Sequence, residues 1–209
     1  ERDPVTAADK TTQEYLAAEI VKRFPDHGIL GEEATEEEKE SEMPAADILW
    51  VLDPLDGTTN FLNGLPLFAS SIGVLYRGWP VAAALYLPWP NGQGGFVLHC
   101  RKGGGAFADD EPVSVYATEE PVANRLIGVP GYFGVANHFS KRLTGKAGEP
   151  RTTGSIAYEL AMTARGVMQY TIIGAPRLWD MAGGALAVVE AGGTVMTRFR
   201  GERKWHPME

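Results

Sequence analysis

The chain has 209 residues, room for one large domain or two small ones with a proper core, and its single cysteine, Cys100, excludes an intrachain disulfide. Lone-cysteine usage suggests a reducing, cytoplasmic setting, and no apolar run approaches the roughly 20 residues needed to cross a membrane. Asp and Glu number 27 against 19 Lys and Arg, and the net charge of −8 argues against non-specific nucleic-acid binding. Residue 1 is Glu rather than Met, so the chain is expected to begin inside a longer gene product, and no signal peptide is visible.

Near the start, Thr6-Ala7-Ala8-Asp9 has the pattern of a capping box, and Leu16, Ile20 and Phe24 repeat on one face of the helix that follows until Pro25. Ile29-Leu30-Gly31-Glu32-Glu33 predicts a short strand ending in two acids. The acidic run Glu36 to Glu42 predicts a solvated loop or helix. Ile48-Leu49-Trp50-Val51-Leu52 predicts a buried strand that ends at Asp53, with Pro54 stopping the ladder, Gly57 as a flexible corner and Thr58-Thr59 opening a short helix. Phe68 to Tyr76, Val81 to Leu87 and Phe96 to Cys100 predict an antiparallel meander. A soft boundary near Pro121 divides an N-terminal α+β half, 1–121, from a C-terminal α/β half, 122–209.

In the second half, Leu126 to Val129 predicts a strand, while 131–150 shows little periodicity. Ser155 suits the cap of a helix running to about Arg165, and Tyr170 to Ile173 the next strand. Asp180 suits the cap of a helix through Glu190, closed by Gly192-Gly193, with a last strand from Thr194 to Phe199.

Glu32, Glu33, Asp53, Asp56 and Asp180 each stand at a strand end or a helix start, and in open mixed sheets such ends gather in one crevice. Two carboxylates about 4 Å apart repel by roughly 1 kcal/mol in water and about 4 kcal/mol at an effective dielectric near 20. A hard divalent cation relieves this, and Mg²⁺ takes carboxylates together with phosphate oxygens. Each acid taken alone also has a plainer role. Asp9 and Asp180 suit helix starts, Asp56 a turn, Glu33 a solvated surface and Ser155 a cap, but an acid between a buried run and a proline, as at Asp53, has few such roles.

Other chemistries fit less well. His27, His99, His138 and His206 lack zinc-site spacing, no phosphate loop ending in Gly-Lys-Ser/Thr occurs, and Ser71 sits within a strand pattern rather than on a nucleophile elbow. An aspartyl-phosphate enzyme of the haloacid-dehalogenase type also places Asp after an apolar strand, but its acids are separated by one residue and Asp53 and Asp56 by two.

Asp53-Pro54-Leu55-Asp56-Gly57-Thr58-Thr59-Asn60-Phe61, with Gly31-Glu32-Glu33 before it and Trp179-Asp180-Met181-Ala182-Gly183 after it, resembles the inositol monophosphatase family. Pro4-Val5-Thr6-Ala7-Ala8-Asp9, Gly154-Ser155-Ile156-Ala157 and Glu190-Ala191-Gly192-Gly193 extend the resemblance over nearly the whole chain. It implies a layered αβαβα sandwich, α/β mixed, with an antiparallel N-terminal sheet and a smaller C-terminal α/β half. It also implies a Mg²⁺-dependent phosphomonoesterase with two or three ions per site, a small phosphorylated substrate and a homodimer.

Carried onto this chain, the resemblance gives Glu32, Asp53 and the Leu55 carbonyl to a first metal and Asp53, Asp56 and Asp180 to a second, with Glu32 helping a third. Asp9 and Thr58 would orient and deprotonate the attacking water, Gly57, Thr58 and Thr59 would receive the phosphate, and Glu33 would stand just behind the ligands. Ser155, Ile173 and Arg177 fall at substrate contacts. Ile173 replaces a Glu of the animal enzymes and Arg177 a His, so strict inositol selectivity is not expected. Family members often carry a Lys upstream of the Pro-Val-Thr motif, which the chain begins too late to show, and the C-terminal strand and helix are expected to be absent or cut short after Trp205. Inositol monophosphate leads the substrates, ahead of histidinol phosphate, fructose 1,6-bisphosphate and 3′-phosphoadenosine 5′-phosphate. A different class, a binding partner of the transcription or translation machinery, remains as an alternative.

Overall fold

The computed structural model describes residues 6–33, 46–90, 94–136, 139–198, 202 and 204–208. Pro4 and Val5 of the first motif, the acidic run Glu36 to Glu42 and the final residue of the last predicted strand, Phe199, lie outside them.

Helix α1 (Ala7–Arg23) begins at the predicted capping box, in which the Thr6 side chain accepts from the Ala8 and Asp9 N–H groups and the Asp9 carboxylate accepts from the Thr6 N–H. It leads into β1 (Gly28–Gly31), which pairs in parallel with β2 (Ile48–Asp56). From there the chain runs as an antiparallel meander: β3 (Ala69–Tyr76), β4 (Trp79–Pro88), β5 (Gly95–Arg101), β6 (Ala106–Ala108) and β7 (Glu111–Val113). The result is a seven-stranded sheet in sequence order, larger by β6 and β7 than the sequence suggested.

Strand β2 corrects one expectation. It does not stop at Asp53, and Pro54 does not end the ladder; pairing to β3 resumes at Asp56. Asp53 faces Ser71 and Asp56 faces Ala69, so three steps on β2 match two on β3, and a β-bulge absorbs the extra residue. Pro54 is tolerated there because the bulge asks for no ladder hydrogen bond from it.

The short helix α2 (Thr58–Leu62) follows Gly57, whose φ of 99° is left-handed. Beyond the meander come β8 (Leu126–Gly128), a one-turn helix α3 (Phe133–Ala136), β9 (Glu149–Arg151), α4 (Ile156–Ala164), β10 (Met168–Thr171) and α5 (Leu178–Glu190). Strands β8, β9 and β10 form a small parallel sheet in the order β10-β8-β9. A final pair, β11 (Met196–Thr197) and β12 (His206–Pro207), is antiparallel. Strand β10 ends before Ile173, which lies in the connection to α5 rather than in a strand. Asp180 is the third residue of α5, not its cap; Arg177 holds the cap position, and Gly192, at φ 87°, closes the other end.

Layers follow in the order α1, large sheet, α4 with α5, small sheet, as a layered α/β sandwich requires. Alternation along β2 sends Trp50 toward Phe24 at the end of α1, ring centroids 5.4 Å apart, while Leu49 and Val51 pack with Ala182 of α5. The main core lies between the sheet and α4–α5, with Leu85, Leu87 and Leu98 facing Leu160, Met162 and Leu186. Glycine sets how closely α5 approaches. A Cβ on Gly73 would stand 3.0 Å from the Ala182 Cβ, and one on Gly183 would stand 3.1 Å from the Ile72 carbonyl oxygen. That close seat carries the first turn of α5, and Asp180 with it, to the end of β2.

Candidate active site

The bulge decides where the acids point. In a regular strand residues three apart face opposite sides, but Asp53 and Asp56 pair with Ser71 and Ala69, which share a face, so both acids face α5. Asp180 arrives there from α5, and Glu32 from the turn after β1, its N–H held by the Leu52 carbonyl at 3.0 Å. Among the described residues no three His, Cys, Asp or Glu side chains already form a finished metal cage. They are nonetheless close enough to perturb one another strongly.

Burial pushes the Asp53 carboxyl up to about 10, with the charges of Asp56, Glu32 and Asp180 adding to it and a hydrogen bond to Glu32 favouring the protonated form. Asp53 is 1% exposed, and its Oδ1 accepts from the Leu55 N–H at 3.1 Å. Burial likewise raises Asp56 to about 7, against the opposing pull of the Ala157 N–H and the Ser155 hydroxyl, with Asp180 and Glu32 adding repulsion. Asp56 Oδ2 accepts both of those bonds, from Ser155 at 2.8 Å. Asp180 Oδ2 accepts from the Arg177 N–H at 2.8 Å. Four acids thus crowd one corner, and the raised Asp53 and Asp56 carboxyls hold protons that offset part of the negative charge. A donor set of carboxylates plus the Leu55 carbonyl is all oxygen, which fits a hard cation such as Mg²⁺ and no soft metal.

Beside this corner sits a hydroxyl–carboxylate pair. Thr58 Oγ lies 3.2 Å from Asp9 Oδ1 and 3.0 Å from the Leu55 carbonyl oxygen. Asp9 is 1% exposed and also accepts from the Thr6 N–H at 2.7 Å and from the Thr6 hydroxyl. The turn between the acids and α2 needs glycine, since a Cβ at Gly57 would stand 3.0 Å from the Leu67 carbonyl oxygen and 3.1 Å from the Ser155 Cβ, at a φ only glycine adopts freely. The leading N–H groups of α2, at Thr58 and Thr59, have no acceptor within the helix.

Of the residues assigned to substrate, Ser155 is engaged with Asp56 and also caps α4 by accepting from the Tyr158 N–H at 3.1 Å. Together with Ile173, Gly154, Ile156 and Glu159 it lines a small cleft of about 100 Å³. Arg177 is exposed, and its guanidinium makes no ion pair among the described residues. Glu33 joins through its backbone, donating to Gln13 Oε1 at 2.9 Å.

Sequence reasoning missed Gln13, Asn60, Thr153 and Glu159. Gln13 was findable, one helical turn after Asp9 on the same face of α1. Asn60 lies inside the quoted motif; its side-chain amide donates to the carbonyls of Leu67 and Thr153, each at 2.6 Å. No local pattern announces a bond to a residue ninety positions away.

The fold and its acids fit a class of α/β enzymes that hydrolyse phosphomonoesters, and the comparisons with known proteins agree. The inositol monophosphatase family model matches residues 1–208, and the chain belongs to that family. It is 36% identical over 206 residues to the chloroplastic phosphatase IMPL1 of Arabidopsis thaliana, covering 95% of this chain but only 54% of that relative, so it spans about half of that protein's length. To the fructose-1,6-bisphosphatase/inositol-1-monophosphatase of Aquifex aeolicus it is 32% identical over 198 residues, covering 92% of this chain and 72% of the relative. The solved structure of the Thermotoga maritima IMPase superimposes with a TM-score of 0.79 at 29% identity, over 97% of this chain and 75% of the other. No described helix is long and apolar enough to cross a membrane.

Proposed function

We propose that this chain is a Mg²⁺-dependent phosphomonoesterase acting on a small organic phosphate, with inositol monophosphate the leading substrate. Fructose 1,6-bisphosphate, histidinol phosphate and 3′-phosphoadenosine 5′-phosphate follow it. The observation that carries this reading is the convergence of Glu32, Asp53, Asp56 and Asp180 from three separate elements, where the neighbouring acids add to the burial that raises Asp53, beside the Thr58–Asp9 pair.

In this reading Glu32, Asp53 and the Leu55 carbonyl hold one Mg²⁺, Asp53, Asp56 and Asp180 a second, and Glu32 contributes to a third. Bound Mg²⁺ supplies charge neutralisation for the transferring phosphoryl group and lowers the pKa of the attacking water. The chain supplies the rest. The Thr58 hydroxyl donates to Asp9 and so turns a lone pair toward the attacking water. As the water loses its proton to Thr58, the Thr58 proton passes to Asp9, which is buried and already oriented by Thr6. The N–H groups at Gly57, Thr58 and Thr59 receive phosphate oxygens at the start of α2. Ser155, Ile173 and Arg177 face the leaving group, and Ile173 offers no acceptor to a polyol hydroxyl, which widens the substrate range.

Phosphate release in Mg²⁺, with Asp53→Asn as control, tests the reaction. Equal release from both proteins removes the metal mechanism, and none from either leaves a binding role. Ranking kcat/KM over the four esters, in the wild type and in Arg177→Ala, tests the substrate assignment; an unchanged ranking removes Arg177 from it. A homodimer belongs to the same reading, and a monomeric mass in solution scattering contradicts it.

A further inference from the structure

Glu159 is a buried acid that the chemistry above does not use. It lies one turn into α4, 6% exposed, and its Oε1 accepts from the Thr153 N–H at 3.0 Å and the Thr153 hydroxyl at 2.9 Å. Burial raises its pKa, and the two bonds from Thr153 pull the other way. A carboxylate in such a place costs more than an apolar side chain of similar size unless its bonds do something an apolar group cannot.

What those bonds hold is a turn. Gly154, at φ 81°, bends the chain between Thr153 and Ser155, and the Thr153 hydroxyl lies 3.2 Å from the Ser155 carbonyl oxygen. The Thr153 carbonyl is gripped from the other side by the Asn60 amide at 2.6 Å. The turn therefore has one anchor in α4 and one in α2. It ends at Ser155, whose Oγ donates to Asp56 Oδ2 at 2.8 Å next to the bond from the Ala157 N–H. With Oδ2 occupied, Oδ1 of Asp56 is left to the acid cluster.

We propose that Glu159 is a positioning residue for the metal site: through Thr153 it fixes the turn that delivers Ser155, and Ser155 sets which oxygen of Asp56 faces the other acids. The assignment rests on the reading of Asp56 as a Mg²⁺ ligand. Groups standing behind a ligand typically change metal affinity by about 10- to 100-fold when removed, and Glu159 acts one bond further out, so the lower end applies.

The test is titration calorimetry of Mg²⁺ into the full chain, with thermal unfolding followed in parallel, for the wild type, Glu159→Gln, Glu159→Ala and Thr153→Val. Gln keeps an Oε1 acceptor for both Thr153 donors, so Glu159→Gln should bind Mg²⁺ like the wild type. Glu159→Ala and Thr153→Val should bind it about 10-fold more weakly, with kcat restored at saturating Mg²⁺. A lowered Tm with an unchanged Mg²⁺ constant means a merely structural role and overturns the proposal, as does a Glu159→Gln protein as weak as Glu159→Ala. If Glu159→Ala does not fold, Thr153→Val decides. Absence of Mg²⁺ binding by the wild type overturns the functional reading itself, and this proposal with it.

Discussion

Replacing Asp53 by Asn should stabilise the metal-free protein while abolishing its response to Mg²⁺. The Asp53 carboxyl rises from 3.8 to about 10 on folding, so above pH 3.8 the folded protein holds a proton that the unfolded chain releases. Stability without metal therefore falls with rising pH through that window, by about 1.4 kcal/mol per unit, which reaches about 4 kcal/mol at pH 7. Asn has the shape of the protonated acid, keeps an oxygen for the Leu55 N–H and can donate to Glu32. Asp53 and Asp56 titrate as an interacting pair, so about 4 kcal/mol is the ceiling of the gain. Urea unfolding in EDTA at pH 5 and pH 8 measures it: the gap between variant and wild type should widen toward higher pH. Mg²⁺ at about a hundred times its Kd should then add about 2.7 kcal/mol to the wild type and nothing to the variant. Parallel pH profiles in EDTA, or equal stabilisation by Mg²⁺, would refute the placement of Asp53 at the centre of the acid cluster.

Other substitutions probe the parts around it. Thr58→Val removes the hydroxyl between Asp9 and the Leu55 carbonyl and should lower kcat by roughly 100-fold or more with little change in Mg²⁺ affinity, as steady-state kinetics and calorimetry together would show. Gly57→Ala forces a side chain into a left-handed φ of 99° and against the Leu67 carbonyl, and should cost about 1–3 kcal/mol in denaturant unfolding. Gly183→Ala, with its Cβ 3.1 Å from the Ile72 carbonyl oxygen, should lift α5 from β3, costing about 1–3 kcal/mol and weakening Mg²⁺ binding through Asp180 while leaving the Thr58–Asp9 pair alone.

The parts of this molecule that were legible in the sequence are those whose cause is local. The capping box at Thr6 and Asp9, the apolar run after Ile48, the meander strands and the cap at Ser155 each depend on neighbours within a few positions. Strand β9 was not legible, because Glu149-Pro150-Arg151 has no strand character and pairs only because β8 lies beside it. The same holds for the Asp53–Asp56 bulge, which exists in the pairing of β2 with β3 and in neither strand alone. The acids of the site could be named from their motifs. Their supports, Asn60 reaching Thr153 and Glu159 holding it, join segments far apart in the chain and leave no mark in either one.

The bulge also makes the site depend on a count. Asp53 and Asp56 share a face because one extra residue lies between them relative to β3, so their alignment is a matter of odd and even. Deleting Leu55 would remove the extra residue and leave the two aspartates two apart on a regular strand, still on one face, but it would take away the carbonyl proposed as a metal ligand and the N–H that Asp53 Oδ1 accepts from. Flattening the bulge at the present spacing is what would part the two aspartates, so the pairing of β2 with β3 matters to the site as much as the aspartates themselves.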